Sequence, residues 1–287
     1  MASGSVQAAA DNLGMTASAV SQHLSTLGRE TDLVLFERAG RGIRPTAAAH
    51  ALYASTTAYM DEVSRVDDLV TDLREGRTGR LSIGYFSSAG AAWMPVLAKT
   101  LAAEMPDLTI NLVLSESGQA GPTTDLDLVI DVPDAPTAGG VRRVFLRDDP
   151  FVAVLPVSHP LAGREAVALT DLRGDSWVSN DLHRNIGHRI VVAACAAAGF
   201  TPRFPVQAQD HYTAIAFVAA GLGISVVPAL GARALPPDVV AVPIVAPTPI
   251  RRISALVRVA AAPNRALERA LELLTDLGAQ AEADAVS

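Results

Sequence analysis

The chain has 287 residues, of which 49% are hydrophobic and 18% are charged, and its formal net charge is −7. This length is enough for two or three domains, and this composition excludes a disordered chain. The single cysteine, Cys195, excludes an intramolecular disulfide and a multi-cysteine metal site. Neither a signal peptide nor an apolar run of the roughly 18–20 residues needed for a membrane helix is visible. We therefore expect a soluble cytoplasmic protein with no membrane partner.

The first predicted elements are two short helices that meet at a turn. Gly14 allows a left-handed backbone at this turn, and Thr16 is placed to cap the second helix, predicted over 16–27. This pattern is typical of a helix-turn-helix, in which the polar face of the second helix enters the major groove of DNA. The opposite, apolar stripe of that helix comprises Ala19, Val20, Leu24 and Leu27.

The polar face of the second helix carries the residues that we expect to contact DNA. Gln22 can read adenine through a bidentate pair, and serine hydroxyls can meet bases or phosphates. A histidine here is as consistent with a solvated surface as with DNA contact. The candidates on this helix are Ala17, Ser18, Ser21, Gln22 and His23.

A glycine turn with arginines follows a hydrophobic segment at 33–36, and a helix start follows at Pro45-Thr46. This order predicts a winged helix-turn-helix, in which Arg38 and Arg41 contact phosphates. The charges within 1–46 nearly cancel, so binding by a monomer should be weak. Two linked copies would bind more tightly through avidity.

Residues 47–75 contain neither proline nor glycine and predict one long helix. Its heptad seam favours an exposed helix that pairs with a second copy of the chain, and packing within its own domain is the alternative. We therefore expect a homodimer or homotetramer. The seam consists of Leu52, Tyr59, Val66 and Leu73, with Thr56, Val63 and Val70 between them.

From residue 81 onward strands alternate with helices, which predicts an α/β domain with a mostly parallel sheet. A final helix is expected to end near Leu277, with a frayed tail over 279–287. The predicted strands are 81–85, 108–114, 126–130, 141–146, 151–155, 177–178, 204–208, 239–244 and 252–258, and the main helices are 91–104, 186–199 and 211–220.

These segments together resemble the LysR-type transcriptional regulators. The matching motifs are Gly4-Ser5, Ala8-Ala9, 35–38, Pro45-Thr46, 159–162 and 218–224 with Pro228. The resemblance implies a winged helix-turn-helix over 1–46, a dimerising linker helix over 47–76, and an α/β effector domain over 80–287 shaped like a periplasmic binding protein. One lobe of that domain would comprise about 80–147 and 251–280, and the other about 148–250, with an effector cleft between them.

Ligands of open α/β sheets bind beyond the carboxyl ends of the strands. The first such place contains Ser87 and Ser88, whose hydroxyls and backbone amides suit an anion such as a carboxylate. The resemblance implies an effector here, and simple capping of a helix is the alternative. Further candidates that could face the cleft are Asp131, Asn180, His183, His211 and Thr213.

One feature departs from the family pattern, because members carry a further helix before the Gly-Ser motif. We expect the DNA-binding domain that begins at Met1 to be poorly stable and to bind DNA weakly, whether the start codon is placed too late or the copy is damaged.

Two other classes of protein compete with a regulator. A transporter's solute-binding protein is opposed by the missing export signal and by the helix-turn-helix. A small-molecule enzyme is opposed by the absence of a catalytic constellation and of a dinucleotide fingerprint. The sequence therefore predicts a DNA-binding regulator that senses a small molecule and needs neither a cofactor nor a metal.

Overall fold

The computed structural model describes residues 5–39, 42–53, 55–56, 63, 66, 79–115, 124–132, 139–180, 186–259 and 264–283. The chain divides into two compact units, Met1–Thr71 and Asp72–Ser287. Within the described ranges, no helix combines the length and the apolar character required to cross a membrane.

The first unit begins with the two predicted helices, α1 (Val6–Leu13) and α2 (Ala17–Thr31). Between them Gly14 adopts a left-handed backbone with φ of 63°, as the sequence predicts. The hairpin of β1 (Phe36–Ala39) and β2 (Gly42–Pro45) follows. The next helix, α3, starts at residue 47, and residues 47–53, 55, 56, 63 and 66 are its described part.

The second unit contains two lobes with separate hydrophobic cores. Lobe I is built from β3 (Gly79–Tyr85), α4 (Ser87–Ala92), α5 (Met94–Glu104), β4 (Leu108–Leu114), β5 (Leu126–Ile130) and the C-terminal α8 (Arg265–Ala283). Its core includes Trp93, Leu97 and Leu274, all with no exposed surface. The helical stretch predicted over 91–104 thus begins earlier and is divided between α4 and α5.

Lobe II comprises β7 (Val167–Ala168), β8 (Ser176–Ser179), α6 (Ile186–Ala197), β9 (Arg203–Gln207), α7 (His211–Ala219), β10 (Ser225–Pro228) and β11 (Val239–Val245). Two 3-10 turns, Leu169–Leu172 and Ala229–Ala232, complete it. Trp177 and Cys195 lie in one of its two buried clusters, and Ile215 and Val218 lie in the other.

One long strand, β6 (Val141–Pro156), runs through both lobes. The strand β12 (Ile250–Arg258) brings the chain back to lobe I and pairs antiparallel with the first half of β6. The second half of β6 pairs antiparallel with β10 and β11 in lobe II. Because β6 is continuous, the prediction of separate strands at 141–146 and 151–155 is wrong.

The main sheet is mixed, so the prediction of a mostly parallel sheet is also wrong. Its strand order is β4-β3-β5-β12-β6-β11-β7, with β10 also paired to β6. The pairs of β3 with β4 and β5 are parallel, whereas β12 lies antiparallel to both β5 and β6. The antiparallel pairs arise because the chain enters lobe II along β6 and returns along β12.

Two short motifs shape turns in lobe II. His159 accepts a hydrogen bond at Nδ1 from the Leu161 N–H, and its Nε2 lies 3.2 Å from Asp175 Oδ1. Gly223 has φ of 141°, and a Cβ there would lie 2.2 Å from the Ser176 carbonyl oxygen. Glycine is therefore required at the entry to β10.

The final helix, α8, continues to Ala283, so the frayed tail predicted from residue 279 is wrong over 279–283.

Candidate functional sites

The helix α2 presents one polar face to solvent. Its N-cap is Thr16, whose Oγ1 accepts a hydrogen bond from the Ala19 N–H at 3.2 Å. Val20 is buried on the opposite side, and Ala17 is half-buried. The other predicted DNA contacts on this helix are all exposed: Ser18, Ser21, Gln22 and His23.

The hairpin after α2 provides the predicted wing. Arg38 lies on β1 opposite Ile43 and is exposed. Arg41, the second predicted phosphate contact, lies outside the described residues. Arg44 and Glu37 form an exposed ion pair of 3.7 Å, which contributes little to stability. The wing therefore carries both positive and negative charge.

The described positions of the heptad seam lie on the surface of the single chain. Val63 is 42% exposed and Val66 is 55% exposed, and Thr56 is also exposed. Leu52 is half-buried, while Tyr59, Val70 and Leu73 lie outside the described residues. Two exposed valines at helical spacing are consistent with a seam that a second copy would cover.

A buried polar network connects the lobes at the point where β6 and β12 cross between them. Arg251 of β12 donates from Nε to Asp149 Oδ2 of β6 at 2.9 Å, and from Nη2 to Ser88 Oγ of α4 at 2.7 Å. Asp149 Oδ1 accepts the Leu230 N–H at 3.1 Å. We call Ser88, Asp149, Leu230 and Arg251 the interlobe network.

The interlobe network is shielded from water. The exposed fractions are 1% for Ser88, 0% for Asp149 and 5% for Arg251. Leu230 belongs to a turn of lobe II, yet it packs in the core of lobe I. The Arg251 guanidinium also lies over the Phe86 ring, 4.9 Å from its centroid. Ser88 is thus part of a contact between lobes and does not merely cap α4.

His211, at the start of α7, lies beside this network. It is 7% exposed, and its Nε2 has no hydrogen-bond partner among the described residues. Burial, together with the positive charge of Arg251, lowers the pKa of His211 to about 4, although Asp210 opposes the shift. The imidazole is therefore neutral at pH 7.

The other predicted effector residues of lobe II have local hydrogen bonds. Asp210 caps α7, because it accepts the Thr213 N–H at 2.8 Å and the Thr213 hydroxyl at 2.7 Å. Burial would raise the pKa of Asp210, but these bonds lower it overall. Asn180 donates to the Val226 carbonyl at 2.9 Å, and His183 lies outside the described residues. These positions remain predictions.

Asp131 belongs to a different polar group from Ser88 and His211. It forms an ion pair with Arg143, and its Oδ2 accepts the Ser254 hydroxyl at 2.6 Å. Ser87, by contrast, is half-buried at the start of α4, next to Ser88. The structure thus brings Ser87, Ser88 and His211 to the region around Arg251, and Asp131 makes its contacts elsewhere on the sheet.

The sequence interpretation missed Asp149 and Arg251. The prediction of separate strands at 141–146 and 151–155 left residues 147–150 outside the sheet, although Asp148 and Asp149 lie opposite Arg252 and Arg251 on β12 within it. One signal was present: Arg251 is two residues before the buried Ile253, a spacing that places both side chains on one face of a strand.

The only cysteine is unsuited to redox sensing. Cys195 is fully buried in a core cluster of lobe II, and burial raises its pKa to about 11. Only the thiolate reacts with Ellman's reagent, and a raised pKa lowers the fraction of thiolate at pH 8. The reagent should therefore label Cys195 about a hundredfold more slowly in the native protein than in the urea-unfolded protein. Equal rates would show that this thiol is accessible.

Within the described residues, no cluster of histidine, cysteine or carboxylate side chains could hold a metal ion.

The combination of a helix-turn-helix with a two-lobed α/β domain is that of a ligand-responsive transcriptional regulator. Residues 1–50 match the family model "Bacterial regulatory helix-turn-helix protein, lysR family", and residues 74–279 match "LysR substrate binding domain". The chain belongs to the LysR family. Because this family consists of transcriptional regulators, the chain is neither the solute-binding protein of a transporter nor a small-molecule enzyme, the two alternatives that the sequence left open.

Curated relatives agree with this assignment, and solved structures share the fold. The chain is 28% identical over 246 residues to the HTH-type transcriptional regulator ShiR of Corynebacterium glutamicum. This alignment covers 82% of the present chain and 81% of ShiR. It matches full-length CbnR complexed with target DNA with a TM-score of 0.66 and 23% identity, over 95% and 94% of the two chains. The effector-binding domain of QuiR in complex with shikimate matches with a TM-score of 0.57 and 17% identity, over 70% and 98% of the chains.

Proposed function

We propose that this regulator binds operator DNA through α2 and the wing. The observation that carries the proposal is the exposed polar face of α2, opposite the buried Val20, on a helix with a hydrogen-bonded cap. Serine, glutamine and histidine side chains on such a face suit the edges of bases and the phosphates. The complex of CbnR with its target DNA supports this assignment. Binding to DNA implies a cytoplasmic location.

The proposed operator-binding species is a homodimer or homotetramer joined through α3. The exposed Val63 and Val66 give α3 an apolar seam, and the first unit lacks a strong excess of positive charge. Two linked helix-turn-helix units would read two half-sites, and their spacing would set the spacing of the sites.

The proposed effector is a small anion, such as a carboxylate, that binds between the lobes near Ser87, Ser88 and His211. Arg251 supplies a positive charge in this region, and the neutral His211 offers a ring nitrogen for hydrogen bonding. The complex of the QuiR domain with shikimate supports a small-molecule site in this fold. Effector binding would change lobe closure or dimer packing, and hence the distance between recognition helices.

The test of this function uses the full-length protein and labelled fragments of its own upstream DNA. Fluorescence anisotropy should detect saturable binding that exceeds binding to scrambled DNA. A thermal-shift screen of small carboxylates should then find compounds that stabilise the protein and change the affinity for that DNA. Equal binding to all DNA would contradict operator recognition. If the carboxylates neither stabilise the protein nor change its affinity for that DNA, while uncharged analogues of the same compounds do, the effector is not an anion.

Two substitutions separate base readout from phosphate contact. Arg38→Ala should weaken binding to every DNA sequence and reduce the slope of log K against log salt by about one unit. Gln22→Ala should instead relax preference at one base position, because a bidentate base contact contributes about 1–3 kcal/mol of discrimination. Competition assays on single-base operator variants measure both effects. If the two variants behave alike across sequences, the proposed orientation of α2 is wrong.

A further inference from the structure

The turn Ala229–Ala232 attaches lobe II to lobe I at one small, fully buried contact. Leu230 inserts its side chain into the core of lobe I, while its N–H is bound by Asp149. Asp149 is in turn paired with Arg251, and Arg251 donates to Ser88. Four elements, β6, β12, α4 and this turn, therefore meet through one continuous chain of hydrogen bonds.

The imidazole of His211 lies directly against this turn. A Cβ at Gly231 would lie 2.7 Å from His211 Cδ2 and 2.9 Å from Nε2, so only glycine leaves room for the ring. The ring also contacts Tyr212, with the ring centroids 4.0 Å apart. The imidazole is therefore closely packed beside Gly231 and has little room for a hydration shell.

The surroundings of His211 oppose a positive charge. The charged groups that act on it are Arg251 from β12 and Asp210 from its own helix, and Arg251 is itself paired with Asp149 of β6. The turn Ala229–Ala232 has no ionisable side chain. His211 is also the first residue of α7, where the positive end of the helix dipole disfavours a cation. Asp210 alone favours it, and that carboxylate is already bound to Thr213.

We propose that the interlobe network is a charge-sensitive lock, which fixes lobe II against lobe I while His211 is neutral and opens when His211 is protonated. Opening releases the turn, exposes the imidazole to water and frees the lobes to change their relative angle. The lock depends only on residues of this chain, but the proposed effector site shares Ser88 and His211 with it, so the test below uses the protein without effector.

The direction of the effect follows from the two states of His211. In the closed lock its pKa is lowered to about 4, whereas an exposed histidine in the open lock has a pKa near 6.5. The open form therefore binds more protons, and it gains population as the pH falls from about 6.5 to 4. Between pH 7 and pH 5 the opening constant should rise about twentyfold.

Hydrogen exchange of the full-length protein tests the lock. Amide protection of the segment 229–232, corrected for the intrinsic pH dependence of exchange, should fall about twentyfold between pH 7 and pH 5. The same segment in His211→Gln should show no such fall, because glutamine does not titrate. His211→Phe is a second variant that retains a ring, in case the glutamine variant does not fold.

The helix α5 serves as the internal reference, because Met94, Leu97 and Leu101 anchor it in the core of lobe I and it has no residue in the interlobe network. Its protection should stay constant over the same pH range. The lock is refuted if the wild type shows no fall at 229–232, if both variants show the same fall, or if α5 loses protection equally. None of these outcomes depends on the identity of the effector or on DNA binding.

Discussion

Replacing Asp149 by alanine should lower the free energy of unfolding of the second unit by about 3–5 kcal/mol, because it leaves a buried charge without its partner. Arg251 is 5% exposed and would lose the carboxylate that accepts its Nε hydrogen bond and forms an ion pair with its Nη2 at 2.8 Å. The Leu230 N–H would also lose its acceptor. Urea unfolding monitored by tryptophan fluorescence measures the loss, since both tryptophans, Trp93 and Trp177, are buried in this unit.

The neighbouring Asp148 is a matched control. Its carboxylate accepts a hydrogen bond from Arg252 at 3.1 Å, but the two side chains are 45% and 60% exposed. Asp148→Ala should therefore cost about 0–1 kcal/mol, as other exposed ion pairs do. If the two alanine variants lose similar stability, burial does not distinguish the pairs, and the importance assigned to the interlobe network is wrong.

Replacing Val63 by aspartate should convert the protein to a monomer and strongly weaken operator binding. Burying an unpaired carboxylate in a helix seam costs several kcal/mol, and a symmetric dimer would contain two of them. Loss of the dimer also removes the avidity of two linked DNA-binding units. Light scattering gives the oligomeric state, and anisotropy with upstream DNA gives the change in affinity.

Ala51→Asp provides the control for the added charge. Ala51 is an exposed residue of α3 that lies outside the heptad seam, so this variant should remain oligomeric and lose little operator affinity. A Val63→Asp protein with an unchanged mass in solution would show that α3 does not form the dimer through this seam.

Much of the fold could be predicted because local patterns agree with the tertiary structure. The strands predicted at 108–114 and 126–130 coincide with β4 and β5. Thr16 and Gly14 act through their own backbone and near neighbours, so the cap and the turn could be anticipated from sequence alone. The start of α3 at residue 47 has a similarly local signal, because a long stretch without proline or glycine follows Pro45-Thr46. Its role in pairing two copies stays a prediction.

The errors arise where distant segments decide the structure. The Asp148-Asp149-Pro150 segment has the composition of a turn, but Arg251 and Arg252, about a hundred residues later, pair with the two carboxylates and keep β6 continuous. The mixed sheet has the same origin, because the direction of β12 relative to β6 depends on how the chain returns from lobe II. Periodicity along one strand contains no information about the partner strand.

The short segments at strand ends predict Ser88 and His211 as effector residues, but they give no sign of Arg251, which interacts with both. Arg251 is central because of its position between α4 and the turn Ala229–Ala232, which are far apart in sequence. The structural roles of Thr213 and Asp131 likewise depend on partners that sequence spacing did not single out. Asp210 is the N-cap of α7, and Ser254 lies on β12, whereas Asp131 directly follows β5.

The order of the two lobes along the chain affects how the protein folds during translation. Lobe II is an insertion within lobe I, because β12 and α8, which complete the core of lobe I, follow it in the chain. On the ribosome, all of lobe II emerges before α8, so lobe II can form its core first while the apolar face of β3 and α5 still lacks its cover. We therefore expect lobe I to complete its fold last, although its first strand is made first, and we expect the nascent chain to be most prone to aggregate while the sheet of lobe I is uncovered.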